Sequence, residues 1–146
     1  MIISVSRRTD ILAFYAEWFY NRLRAGYVLV RNPMNVHNVS KVALSPEVVD
    51  AFVFWTKNPL PLMKRLDELA EYPYYFQFTL TGYGKDIEPG LPDKNQVLLP
   101  AFKELAAKIG RQRVIWRYDP IFFSSRYSAE YHLECFEALA AELSGS

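Results

Sequence analysis

Cysteine is nearly missing from this chain: Cys135 is the only one among 146 residues. One thiol excludes an internal disulfide and a multi-cysteine metal site. Histidine is almost as scarce. His37 and His132 stand apart, with no metal-ligand spacing, so no metal residues are assigned. No apolar run approaches the roughly 20 residues that cross a bilayer, so no membrane partner is expected. The opening Met1-Ile2-Ile3-Ser4-Val5 lacks a basic segment followed by a long apolar one, so no signal peptide is expected. With a single thiol and no leader, a cytoplasmic setting is expected. Charge of one sign is lacking too. A formal net charge of +1 offers no global attraction for nucleic acid, so any anion preference must be local. Neither GxGxxG nor GxxxxGK[ST] occurs, so the common phosphate loops are excluded.

What is present is apolar and regularly spaced. Hydrophobic residues make up 51% of the chain, enough for a packed core rather than a disordered polymer. The length fits a single α/β domain over residues 1–146. Ile2–Ser6 reads as a buried strand followed at once by Arg7-Arg8-Thr9-Asp10. Phe14, Trp18, Phe19 and Leu23 recur at helical spacing, and Gly26 stops that helix. Tyr27–Arg31 and Val39–Leu44 flank the Asn32-Pro33 break. They read as a hairpin or arm inserted after the first helix, with two core strands as the alternative. Ser45-Pro46-Glu47 then starts a short helical turn.

Ala51–Trp55 is a continuous apolar run, as in a strand buried on both faces. Leu62, Leu66 and Leu69 trace a helix, and Tyr74–Leu80 forms the next strand. Val97–Ile109 is helical, Val114–Tyr118 is a strand ended by Asp119-Pro120, and Glu130–Leu143 is a final amphipathic helix. Strands alternating with helices predict a parallel sheet, since parallel neighbours need crossovers. Four such units are half of an eightfold barrel, or a small open sheet; the pattern does not separate the two.

Ligands of parallel α/β folds bind where strands end. The strand-end groups here are Arg7, Arg8 and Asp10; Lys57 and Asn58; Gln77, Thr79 and Thr81; and Arg117 and Asp119. Arg117 and Asp119, two apart on a strand, face one side. They make either an anion clamp with an acid/base carboxylate or a structural ion pair. Arg7 and Arg8 carry guanidinium forks suited to phosphate or carboxylate, unless Asp10 and Asp119 neutralise them. Lys57, a strand-end lysine, is a candidate nucleophile or anion ligand. Gln77, Thr79 and Thr81 are expected on one face, lining a pocket. The candidate catalytic residues are therefore Asp10, Asp119 and Lys57. The candidate ligand-binding residues are Arg7, Arg8, Asn58, Gln77, Thr79 and Arg117. His37 reads as a surface residue of the arm, and Cys135 as a thiol packed on a helix face.

Five segments carry a family resemblance: Ser6–Ile11, Arg31–Asn35, Val53–Pro59, Tyr75–Thr81 and Val114–Pro120. Together they resemble an uncharacterised, mostly bacterial family catalogued as domain of unknown function 1848. That resemblance implies a TIM-like barrel of roughly twice this length. It also implies a C-terminal cysteine-rich stretch in longer relatives, similar to the iron–sulfur site of radical S-adenosylmethionine enzymes. With Cys135 alone, this chain is expected to be the N-terminal half of such a barrel. An iron–sulfur cluster and S-adenosylmethionine are then expected only in full-length relatives, with none in this chain. The leading expectation is binding of a small anionic molecule or cofactor at the strand ends. The alternative is a non-catalytic module that oligomerises through exposed sheet edges. A second copy or a missing C-terminal half is the expected partner.

Overall fold

The computed structural model describes residues 1–145. Four strands form one parallel sheet: β1 (Ile2–Val5), β4 (Ala51–Thr56), β5 (Tyr74–Thr79) and β6 (Val114–Arg117). Their spatial order, β1-β4-β5-β6, follows chain order without a reversal. The sheet is open, with β1 and β6 at its edges and no closed barrel among the described residues. Between β1 and β4 the chain makes an antiparallel hairpin of β2 (Tyr27–Arg31) and β3 (Val39–Ala43), a separate two-stranded sheet. The inserted-arm reading therefore describes this segment, rather than two core strands. No helix among the described residues is long and apolar enough to cross a membrane.

Side-chain alternation divides the four-stranded sheet into two unlike faces. Phe52, Phe54, Phe76 and Phe78 point one way and are fully buried. Each contributes about 1.5–3 kcal/mol by leaving water. Against them packs α2 (Ala16–Ala25), whose Phe19 meets Phe52 and Phe54 edge-on at 5.6 and 5.5 Å. Phe102 of α4 (Leu99–Ile109) meets Phe78 at 5.3 Å. On the same side, Phe136 of α5 (Ala129–Leu143) stacks on Trp116 at 4.8 Å. The register places Ile2, Ser4, Val53, Trp55, Gln77, Thr79, Ile115 and Arg117 on the opposite face. Ile2 and Ile115 are exposed there, 69% and 47%.

The helices deviate from their expected form. The first breaks at Tyr15 into α1 (Ile11–Phe14) and α2, and Gly26, at φ 75°, caps α2 in the left-handed region. Phe14 and Trp18, read with Phe19 and Leu23 as one helical stripe, are 72% and 43% exposed. The buried stripe is instead Leu12, Ala16, Phe19, Tyr20 and Leu23, offset because the break resets the helical phase. The Leu62-Leu66-Leu69 helix is two short pieces, α3 (Leu60–Met63) and a 3₁₀ turn (Leu66–Leu69). A π-turn over Lys94–Leu98 precedes α4.

Candidate functional site

Polar side chains do gather after the strands, but in three groups rather than one. The first is on the helix-free face. Arg117 and Thr79 are register partners, as are Gln77 and Trp55, so these side chains share a face on neighbouring strands. The Arg117 guanidinium lies over the Trp55 ring, 4.1 Å from its centroid. Its Nη1 donates to Gln77 Oε1 at 3.0 Å and its Nη2 to Asp119 Oδ2 at 2.6 Å. The cation is thus held face-on by an indole and edge-on by an amide and a carboxylate. Two buried polar atoms in this group have no partner among the described residues, Trp55 Nε1 and Asp119 Oδ1. Buried polar atoms are normally satisfied, and each unmade bond costs about 1–3 kcal/mol.

The second group centres on Glu88, in the loop after β5. Its side chain is only 8% exposed and forms ion pairs with both Lys57 and Lys94. Thr81 Oγ1 donates to the same carboxylate at 3.1 Å. Lys94 Nζ also donates to the Thr81 and Tyr83 carbonyls. Burial pushes the Glu88 carboxyl up, but its bonds and charge pairing with Lys57 and Lys94 outweigh that, and its pKa falls below the usual value. Thr81 was expected beside Gln77 and Thr79. It lies past the end of β5 and turns to Glu88, so only Gln77 and Thr79 share the helix-free face.

The third group is at the end of β1. Ser6 takes a φ of 74°, in the left-handed region, and its Oγ accepts from the Ile11 N–H at 3.0 Å. Asp10 caps α1 by accepting from the Ala13 N–H, while its other oxygen accepts from Thr56 Oγ1 and the Lys57 N–H, both at 2.8 Å. This carboxylate fastens the β1 loop to the end of β4. It does not neutralise Arg7 or Arg8. Arg8 donates to the Arg31 carbonyl at 2.7 Å, and Arg7 and Arg8 both line a cavity beside the arm. Neither makes a hydrogen bond or ion pair with the Arg117 group among the described residues. Asn58 Oδ1 accepts from the Leu60 N–H at 3.2 Å, closing a turn just ahead of α3.

Sequence reasoning passed over Glu88 and Lys94, because a loop carboxylate carries no local sign of burial. It also passed over an aromatic–polar cluster behind β5 and β6. His132 is 4% exposed; its Nδ1 meets Tyr118 Oη at 2.9 Å and its Nε2 donates to the Phe122 carbonyl at 3.1 Å. The carbonyl only accepts, so Nε2 carries a proton. Asp86 accepts from Tyr127 Oη at 2.7 Å, which holds its carboxyl below the usual range. Tyr131 donates to the Gly82 carbonyl at 2.6 Å; burial first, then Cys135, pushes its phenol up to about 12.

The iron–sulfur cluster implied for longer relatives does not fit these residues. Such clusters need several thiolates, and Cys135 Sγ packs against Gly82 within the aromatic cluster. No group of three or more His, Cys, Asp or Glu side chains suits a metal among the described residues. No curated protein and no solved structure matches the chain. The family model described as domain of unknown function (DUF1848) matches residues 2–146, so the chain belongs to the DUF1848 family.

Proposed function

We propose that this chain is the N-terminal half of a TIM-like barrel and binds a small anionic molecule at the strand ends on its helix-free face. The observation that carries this reading is the Arg117 group: an oriented guanidinium beside two buried atoms, Trp55 Nε1 and Asp119 Oδ1, that lack partners. An oxyanion accepts from the guanidinium fork, and a hydroxyl on the same ligand suits a free carboxylate oxygen. Gln77 and Thr79 orient the ligand. Asp119 is the carboxylate available for proton transfer, because Asp10 already accepts three hydrogen bonds. Lys57 acts through its group with Glu88 and Lys94, two cations on one carboxylate, and Asn58 sets the turn that follows it. Arg7 and Arg8 act from the β1 side as field rather than as direct ligands. No iron–sulfur or S-adenosylmethionine step is assigned to this chain, whose single thiol, Cys135, cannot hold a cluster by itself.

Thermal melts with inorganic phosphate and citrate test the reading. Phosphate or citrate at about one hundred times its dissociation constant stabilises by about 2.7 kcal/mol, a rise of roughly 5–10 °C. Arg117→Ala should abolish that rise while the far-UV spectrum stays that of the wild type. An Arg117→Ala chain that is unfolded without ligand would instead assign Arg117 a structural role. A second reading, a non-catalytic assembly module, is favoured by the unpaired edges of β1 and β6.

A further inference from the structure

Two surfaces at opposite edges of the sheet lack partners, and their chemistry is complementary. Beside β1, a cavity of about 450 Å³ is walled by Val5, Phe19, Val28, Leu44 and Phe52. Arg7, Arg8, Arg22 and Arg31 stand around it, and no acidic residue lines it. Among the described residues, none of these four guanidiniums has a carboxylate within 4.0 Å. An apolar groove with an all-arginine rim calls for an apolar partner carrying negative charge.

Beyond β6, α5 has those properties. It is 15 residues long, yet its buried residues are only His132 and Leu143. Leu133 is 63% exposed and Phe136 45%. The helix contains no lysine or arginine. Glu130, Glu134 and Glu137 follow at i, i+4 and i+7, a single stripe, without a cationic partner among the described residues. Only Glu142 is paired, with Lys103.

The sheet topology says how such surfaces meet. Strand order follows chain order and every pair is parallel, so one edge is always β1 and the other always β6. A neighbour extending the sheet in parallel must set its β1 beside β6, and its groove then faces α5. Two four-stranded sheets joined this way at both junctions make eight strands, the number at which a small barrel closes around its own side chains.

We propose that a second copy of this chain fills the arginine groove with the Leu133–Glu134–Glu137 face of its α5, while its own groove receives the first copy's α5. The pairing takes only the half-barrel frame from the proposed function and stands or falls apart from anion binding.

Light scattering on the full chain at low ionic strength should give a particle of twice 17.0 kDa. Raising salt to about 0.5 M should loosen it, since the contacts are charged and partly exposed. Arg22→Glu with Arg31→Glu takes the rim from four positive charges to none, the two new carboxylates balancing Arg7 and Arg8, and so removes the groove's attraction for an acidic helix. Glu134→Arg with Glu137→Arg sets cations on the α5 face against the arginine rim. Each double variant alone should run as a monomer, and an equimolar mixture should restore the dimer. If a reversed variant loses its helical spectrum, Arg22→Gln with Arg31→Gln takes its place, with dimerisation about tenfold weaker. A wild-type monomer overturns the proposal and leaves the groove for another segment or partner. Variants that dimerise as tightly as the wild type overturn it too, as does a mixture that stays monomeric. None of these results bears on whether phosphate binds at Arg117.

Discussion

The Arg117 guanidinium lies 4.1 Å above the Trp55 ring, across the intervening strand β5. A cation–π contact of this kind contributes about 0.5–2 kcal/mol and fixes the plane of the fork. Trp55→Leu should therefore lower stability by about 2 kcal/mol and weaken phosphate-induced stabilisation, both read from thermal melts. Arg117→Lys keeps the charge but loses the planar fork, so it should keep the fold and lose most of the ligand response.

Glu88, in the loop after β5, joins two lysines and a threonine. Replacing it by Gln leaves Lys57 and Lys94 without their counter-ion. Breaking such a pair costs about 3 kcal/mol, or roughly 10 °C in melting temperature. The pH dependence follows from its depressed pKa. The ionised form is favoured by folding, so its contribution is fully present above the ordinary value of 4.5 and is lost as pH falls through the folded value. Denaturant titrations between pH 3 and 6, about that ordinary value, should show a decline in stability that Glu88→Gln largely lacks. Equal slopes in both proteins would contradict this assignment.

Asp10 accepts from the Ala13 N–H, Thr56 Oγ1 and the Lys57 N–H. Asp10→Ala removes a helix cap and leaves two donors unmatched, at a cost of about 3 kcal/mol. Asp10→Asn retains the cap and should lose about 1 kcal/mol. Urea unfolding of the two variants measures the difference. A stable Asp10→Ala protein with no ligand response would instead return Asp10 to the ligand site.

Gly82 is required by close approach. A Cβ there would stand 2.6 Å from Cys135 Sγ, 2.7 Å from Cys135 Cβ and 3.0 Å from Tyr118 Oη. Gly82→Ala should destabilise by about 1–3 kcal/mol. Adding Cys135→Ala should recover part of the loss, because it removes the sulfur but not Cβ. A double-mutant cycle in urea reads the coupling.

Much of the fold was legible because the core is built from strands of one kind. Ala51–Trp55 is apolar throughout, so β4 announced itself as a central strand, and Asn32-Pro33 marked the tip of the arm. The helix phase was less legible: Phe14 and Trp18 fit a helical stripe, but the break at Tyr15 turns them to solvent. In the site, Arg117 and Asp119 declared a shared side by their spacing of two. That Arg7 and Arg8 line the cavity beside the arm was not legible; they follow Ser6, whose left-handed backbone the sequence does not announce. Glu88 was not legible either. Its partner Lys57 lies 31 residues away, and only the parallel packing of β4 and β5 brings them together.

The most direct measurement is the heat of inorganic phosphate binding to the wild-type chain and to Arg117→Ala, with far-UV spectra confirming that both are folded. The account predicts saturable binding by the wild type and at least tenfold weaker binding by Arg117→Ala, about 1.4 kcal/mol. Equal binding by the two proteins, or none by the wild type, would contradict it.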